Sequence, residues 1–308
     1  MPLILGLGMS YSPLFFRARS EWERVALLLT GSVPQPTRAA EETPERLDAL
    51  GVRLGVALDR LKEVVRKAQL DALIVLVADR RRYFNEANIP QLHVFVGNEI
   101  WGDPSLPELD EPSSRVTLTC DRELADVLVE EVVASGFELA ESRGEFRPLG
   151  DPERGVSAAL VEAVTRVGGG VLIVPIHINC HAQAAVSGQR VREFGAALAL
   201  ALRFTDKRVG ILASGGLSGD PYGYLAGWVD DTLDNWVLRR LATARSVDVS
   251  RLWDVESQSL VGSAAEIRLW VAVGAAMETI GVRGKILDYF PMHHAAVGSG
   301  FAEWETSE

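Results

Sequence analysis

The chain has 308 residues, 47% of them hydrophobic and 24% charged, and a net charge of -11. That length and composition suit one large domain or two modest ones with a substantial core. The acidity argues against nucleic acid and against an anionic membrane surface as partners.

From the N-terminus, "LILGLGM" (3–9) reads as a short buried strand ending in the turn "SYSP". It lacks a basic leader and is interrupted by Gly8, Ser10, Ser12 and Pro13, so it does not read as a signal peptide. Residues 31–47 are polar and carry three prolines. Over 45–68 apolar residues recur three and four apart, which predicts an amphipathic helix. "DALIVLVAD" (71–79) is an uninterrupted apolar run, as in a strand buried on both faces, and "LHVFVG" (92–97) is a further strand. A second proline-rich segment fills 102–114. Helices are predicted over 121–137, 156–170, 188–204, 230–244 and 265–281. "VLIVPIHIN" (171–179) and "RVGILAS" (208–214) read as buried strands flanking one of these helices, an order that implies a parallel pair. "GKILDYF" (284–290) reads as the last strand. No apolar run reaches the roughly 20 residues that span a bilayer. Cys120 and Cys180 lack any metal-site spacing, so free thiols in a reducing cytoplasm are expected. The alternation predicts a single α/β domain over 1–308, with a central, mostly parallel sheet flanked by helices.

In such sheets the loops at the carboxyl ends of strands build the site. Here they are "SYSP", "ADRRRYFNE", "HINCHAQ" and "SGGLSGDP". Gly215-Gly216 lacks the spacing of a phosphate loop, and "GLGMS" is incomplete as a dinucleotide fingerprint. His177 and His181 are four apart, but in a strand-to-loop segment that spacing does not make a metal pair. His293 and His294 are adjacent, so their side chains point different ways, and His93 sits within an apolar strand. Arg80, Arg81 and Arg82 offer either a solvated loop or a carboxylate subsite. Glu266 stands near a helix N-terminus, where a negative charge is favourable.

Taken together, these loops resemble the class III extradiol ring-cleavage dioxygenases, the LigB-like family of the protocatechuate 4,5-dioxygenase catalytic subunit. The resemblance is carried by "GLGMSYSPLFF", "LDALIVLVADRRRYFNEANIP", "VLIVPIHINCHAQAAVSGQRVREFGAALALAL", "RVGILASGGLSGDP", "SAAEIRLWVAVGAAM" and "LDYFPMHHAAVGSGFAEW", in that order. It implies the family's fold and a site where two histidines and one glutamate hold Fe(II) on one face. Measured against that pattern, Tyr11 stands in place of the first-strand histidine and Gly219 in place of the "SGGLSH" histidine. Of the iron-binding motif residues only Glu266 remains, and the second-strand loop offers arginines, which do not ligate.

The resemblance therefore implies a degenerate site with no resident cofactor, Fe(II) being expected only if the family chemistry persists. The expected role is a non-catalytic or accessory subunit in aromatic-compound catabolism, paired with a related catalytic chain or with itself. The alternatives are an active enzyme with a site rebuilt from His177, His181, His293 or His294 with Tyr11 and Glu266, acting on an aromatic or carboxylated substrate, and a metal-free protein that binds an aromatic acid. The expected pocket lining is Tyr11, Arg80, Arg81, Arg82, His177, Gly219 and His294, beside Glu266. Trp101, Phe301 and Trp304 are expected as aromatic anchors of an interface.

Overall fold

Strand β1 (Leu3–Met9) leads through a 3-10 turn to helix α1 (Trp22–Thr30), and the long helix α2 (Pro44–Ala68) leads to β2 (Ala72–Val77). Next come β3 (Leu92–Phe95), β4 (Glu99–Gly102), β5 (Val116–Thr119), α3 (Arg122–Ala134) and β6 (Ala140–Ser142). The chain then alternates α4 (Ala158–Val167), β7 (Leu172–Ile178), α5 (Gly188–Ala201) and β8 (Val209–Ser214). Three helices follow, α6 (Asp231–Ala242), α7 (Ser246–Ser250) and α8 (Ile267–Thr279), and the hairpin β9 (Gly284–Met292) and β10 (Val297–Glu305) closes the fold. This computed structural model describes residues 2–31, 33, 37–80, 82–85, 88–144, 154–181 and 185–306.

Eight strands form one sheet in the order β6-β3-β7-β2-β8-β1-β10-β9, while β4 and β5 pair separately. The central block β7-β2-β8-β1 is parallel. β10 and β9 extend it in antiparallel fashion on one side, and β3 is antiparallel to β7 on the other. β7 and β8 do run parallel, as expected, but β2 lies between them.

The uninterrupted apolar runs follow from this layering. In β2, Ala72, Ile74 and Leu76 face the layer that holds α5 and α8, while Leu73, Val75 and Val77 face the layer of α2 and α4. Both faces are covered, so no polar residue alternates in. α2 buries Leu47, Leu50, Leu54, Leu58 and Leu61 along one stripe. It starts at Thr43, whose side chain accepts a hydrogen bond from the Arg46 N–H, and it ends at Gln69 in the left-handed region. α8 is buried from Ile267 through Met277, which explains its all-round apolar sequence. The second glycine of "GLGM" belongs to this packing. A Cβ at Gly8 would enter the ring of Trp270, whose indole N–H donates to the Gly215 carbonyl at 3.0 Å.

Two sequence expectations are corrected here. "GKILDYF" is β9, not the last strand; β10 follows and inserts between β1 and β9. Phe301 and Trp304 lie on β10 and are 0% and 1% exposed, so they are core residues and not interface anchors. Trp101 is half-buried, with the Arg115 guanidinium 4.1 Å above its ring.

Candidate functional site

Because β1, β2 and β8 run parallel, their carboxyl ends meet at one edge of the sheet. A cleft of about 220 Å³ opens there. Tyr11, Ser12 and Pro13 reach it from β1, Ala78, Arg80 and Arg82 from β2, and Ser214 from β8, with Glu266 from the turn before α8. This is where the strand order of an open α/β sheet places a ligand. The second-strand loop takes its shape from Asp79, whose carboxylate accepts from the backbone N–H groups of Arg82 (3.1 Å), Tyr83 (2.8 Å) and Phe84 (3.0 Å).

Glu266 is buried and its oxygens are in use. Oε1 accepts from Arg80 Nε at 2.8 Å and from His181 Nε2 at 2.7 Å, and Oε2 accepts from the Gly216 N–H at 2.7 Å. Burial pushes its pKa up, but the Arg80 charge and the His181 hydrogen bond outweigh that and hold it down, at about 2. Arg80 also donates to Ser263 Oγ at 2.8 Å. The "SGG" turn passes so close to this corner that a Cβ at Gly216 would meet Ser263.

Tyr11 belongs to a second buried network. Its hydroxyl donates to Glu162 Oε2 at 2.7 Å, and Arg17 donates to the other oxygen of Glu162. Arg17 also forks onto Glu111 at 3.1 and 3.0 Å. Burial raises Glu162 to about 7, against the pull of Arg17 and Tyr11. Burial and then the Glu162 charge push the Tyr11 phenol well above its ordinary value.

Of the residues expected at the pocket, Tyr11, Arg80, Arg82 and Glu266 are brought together at this cleft. Arg81 lies outside the described residues. His177 points elsewhere. Its Nδ1 is 3.3 Å from that of His93, its cross-strand partner, and its ring stacks on Tyr83 at 5.4 Å. Burial and then His93 keep His177 neutral, with a pKa well below the ordinary histidine value. His177 and His181 border a separate cavity of about 50 Å³. Gly219 also lies off the cleft, beside a surface groove with Asp220 and Trp228. Its φ is +138°, and a Cβ there would strike the Ala296 carbonyl oxygen. His294 is tied to Glu42 (2.7 Å) and Glu23 (3.2 Å), and His293 Nδ1 to the Gly227 carbonyl (2.9 Å), so neither lines the cleft. Glu162, Arg17 and Arg154 were missed. Their segments carry no motif, and only the folded chain turns Glu162, on the buried side of α4, toward β1.

This donor set does not fit a two-histidine, one-carboxylate face. One carboxylate and His181 are hydrogen-bonded to each other, Tyr11 is bonded to Glu162, and a guanidinium lies against the carboxylate. Among the described residues no group of three or more His, Cys, Asp or Glu side chains is placed to hold a metal ion. At an effective dielectric constant near 20, two unit charges about 4 Å apart repel by about 4 kcal/mol, and a dication doubles that.

Comparison with curated proteins yields no match. A crystal structure of an uncharacterized protein from Escherichia coli K12 is similar over 97% of this chain and 99% of that one, with a TM-score of 0.51 at 11% identity, a likeness of fold alone. The family described as the catalytic LigB subunit of aromatic ring-opening dioxygenase matches residues 57–300. That span takes in β2, β7, β8 and the Glu266 turn, the elements that build most of the cleft, and the chain belongs to the LigB family.

Proposed function

We propose that this LigB-family chain does not cleave aromatic rings through iron, and serves as a non-catalytic, accessory subunit in aromatic-compound catabolism in the cytoplasm. Its partner is a related catalytic dioxygenase chain or a second copy of itself, and its cleft is kept to hold an aromatic small molecule. The observation that carries this reading is the engagement of Glu266: Arg80, His181 and Gly216 take the carboxylate that a metal would need. A guanidinium stays protonated and supplies charge without ligating. Of the histidines a rebuilt enzyme would use, His177, His293 and His294 are turned away from the cleft, and His181 alone touches one of its residues, Glu266.

The test is anaerobic loading with Fe(II), followed by metal analysis and a ring-cleavage assay on catechols. We expect substoichiometric iron that is unchanged in Glu266→Gln, and no cleavage. Stoichiometric iron that is lost in Glu266→Gln, with cleavage of a catechol, overturns the reading.

A further inference from the structure

We infer that Arg82 and Arg154 form a carboxylate-binding subsite of the cleft, and that the ligand is a small acid about one ring in size. The inference rests on the reading of the cleft as a retained binding site and specifies its chemistry.

The arginines around the cleft divide into two kinds. Arg17 is held by Glu162 and Glu111, and Arg80 by Glu266. Arg82 and Arg154 have no carboxylate within 4.0 Å among the described residues. Their contacts are main-chain carbonyls. Arg82 Nη2 donates to the carbonyl of Asp103 and, at 3.3 Å, to that of Arg154. Arg154 Nη2 donates to the carbonyl of Ser105 and, at 3.3 Å, to that of Asp103. Two guanidiniums thus converge on one carbonyl oxygen, and the Nε of each has no partner among the described residues. The Asp103 carboxylate is occupied by the backbone N–H groups of Ser105 (2.9 Å) and Ser114 (3.1 Å).

Two like charges in a partly buried wall repel, and an anion between them relieves both. Burial and then the Arg154 charge lower the pKa of Arg82, and the pull of Tyr11, Asp103 and Glu162 offsets this only in part. The first turn of α4 lines the same cleft at Ser157, Ala158 and Ala159 and adds the positive end of its dipole. Arginine forks match the planar carboxylate. Apolar side chains such as Pro13, Leu106 and Pro221 share the remaining lining with Ser12, Ser214 and Glu266, and Glu108 stands at the exposed rim. The volume of about 220 Å³ exceeds the roughly 150 Å³ that admits a benzene ring.

Calorimetry at pH 7 with benzoate, its neutral analogue benzamide, and inorganic phosphate tests this on the full chain. We expect benzoate to bind at least about tenfold more tightly than benzamide, as one charge-assisted hydrogen-bonded pair supplies. Arg82→Gln and Arg154→Gln should each lose about tenfold in benzoate affinity and leave benzamide unchanged. Arg82→Lys and Arg154→Lys should recover part of that loss, and they decide the matter if a glutamine variant unfolds by near-UV dichroism. Equal binding of benzamide and benzoate overturns the subsite while leaving the retained cleft standing. Tighter binding of phosphate than of benzoate overturns the carboxylate assignment. Failure of both benzoate and benzamide to bind overturns the retained cleft and the subsite together.

Discussion

Gly219 shows how a single residue separates fold from chemistry. The sequence resemblance sets it against a motif histidine, and its backbone lies at φ +138°, against the Ala296 carbonyl. That conformation is rarely open to a residue with a Cβ, and the contact is with backbone that has little room to yield. Restoring the motif by Gly219→His should therefore lower the unfolding free energy by roughly 2–4 kcal/mol, combining backbone strain with overpacking. It should also give no iron binding, since position 219 faces the groove of Asp220 and Trp228 and not Glu266. Denaturant unfolding with parallel metal analysis reads both outcomes. A variant as stable as the parent would show that the turn adapts freely.

At the scale of elements, the "SGGLS" turn is held by a buried carboxylate on α6. Asp234 accepts from the Ser218 N–H and hydroxyl, both at 2.7 Å, and from the Tyr289 hydroxyl of β9 at 2.9 Å. It is 0% exposed, and burial raises its pKa to about 6 from the ordinary 3.8. A raised acid binds its proton more tightly in the folded than in the unfolded chain. Stability from this group is therefore greatest below about pH 4 and is lost as pH rises toward 6. The shift corresponds to an order of 2–3 kcal/mol. Asp234→Asn does not titrate; its amide oxygen can accept from the Ser218 N–H, and its NH2 can donate to the Ser218 and Tyr289 hydroxyls once these turn to accept. Between pH 4 and pH 7 the stability difference should move toward the variant by roughly that amount. A pH-independent difference in denaturant titrations would remove the assignment. His294 adds a slope of the same sign, because Glu42 and Glu23 outweigh its burial and raise its pKa, and the stability it contributes is lost as pH rises through the raised value.

At the scale of the whole molecule, an accessory role requires association. Sedimentation at micromolar concentration should give a mass above the 33.5 kDa monomer, or affinity purification from the native host should recover a related dioxygenase chain. A strict monomer with no such partner would leave the metal-free binding reading in its place. Phe301 and Trp304 are excluded as anchors by their burial, so substituting them would test stability and not assembly. Among the described residues no helix is long and apolar enough to cross a membrane.

The α/β class, the helix over 44–68 and the buried strands β2, β7 and β8 were legible in the sequence, because hydrophobic periodicity and run length are local properties that survive without the fold. The ordered motif segments carried the family for the same reason: each is a short, contiguous stretch. β10 was not legible, since "GSGFAEWE" alternates glycine and glutamate with aromatics and becomes a strand only when β1 and β9 pair with it on both sides. The cleft was legible in part. Tyr11, Arg80 and Arg82 could be named from strand ends, because a parallel sheet delivers those ends to one edge, and Glu266 from the family motif before α8. The pairing of Arg80 with Glu266 and the meeting of Arg82 with Arg154 join residues 186 and 72 positions apart. Which charge is neutralised and which is left open depends on distances of a few ångströms across that gap. Only tertiary packing sets those distances, and they decide what chemistry the LigB scaffold retains here.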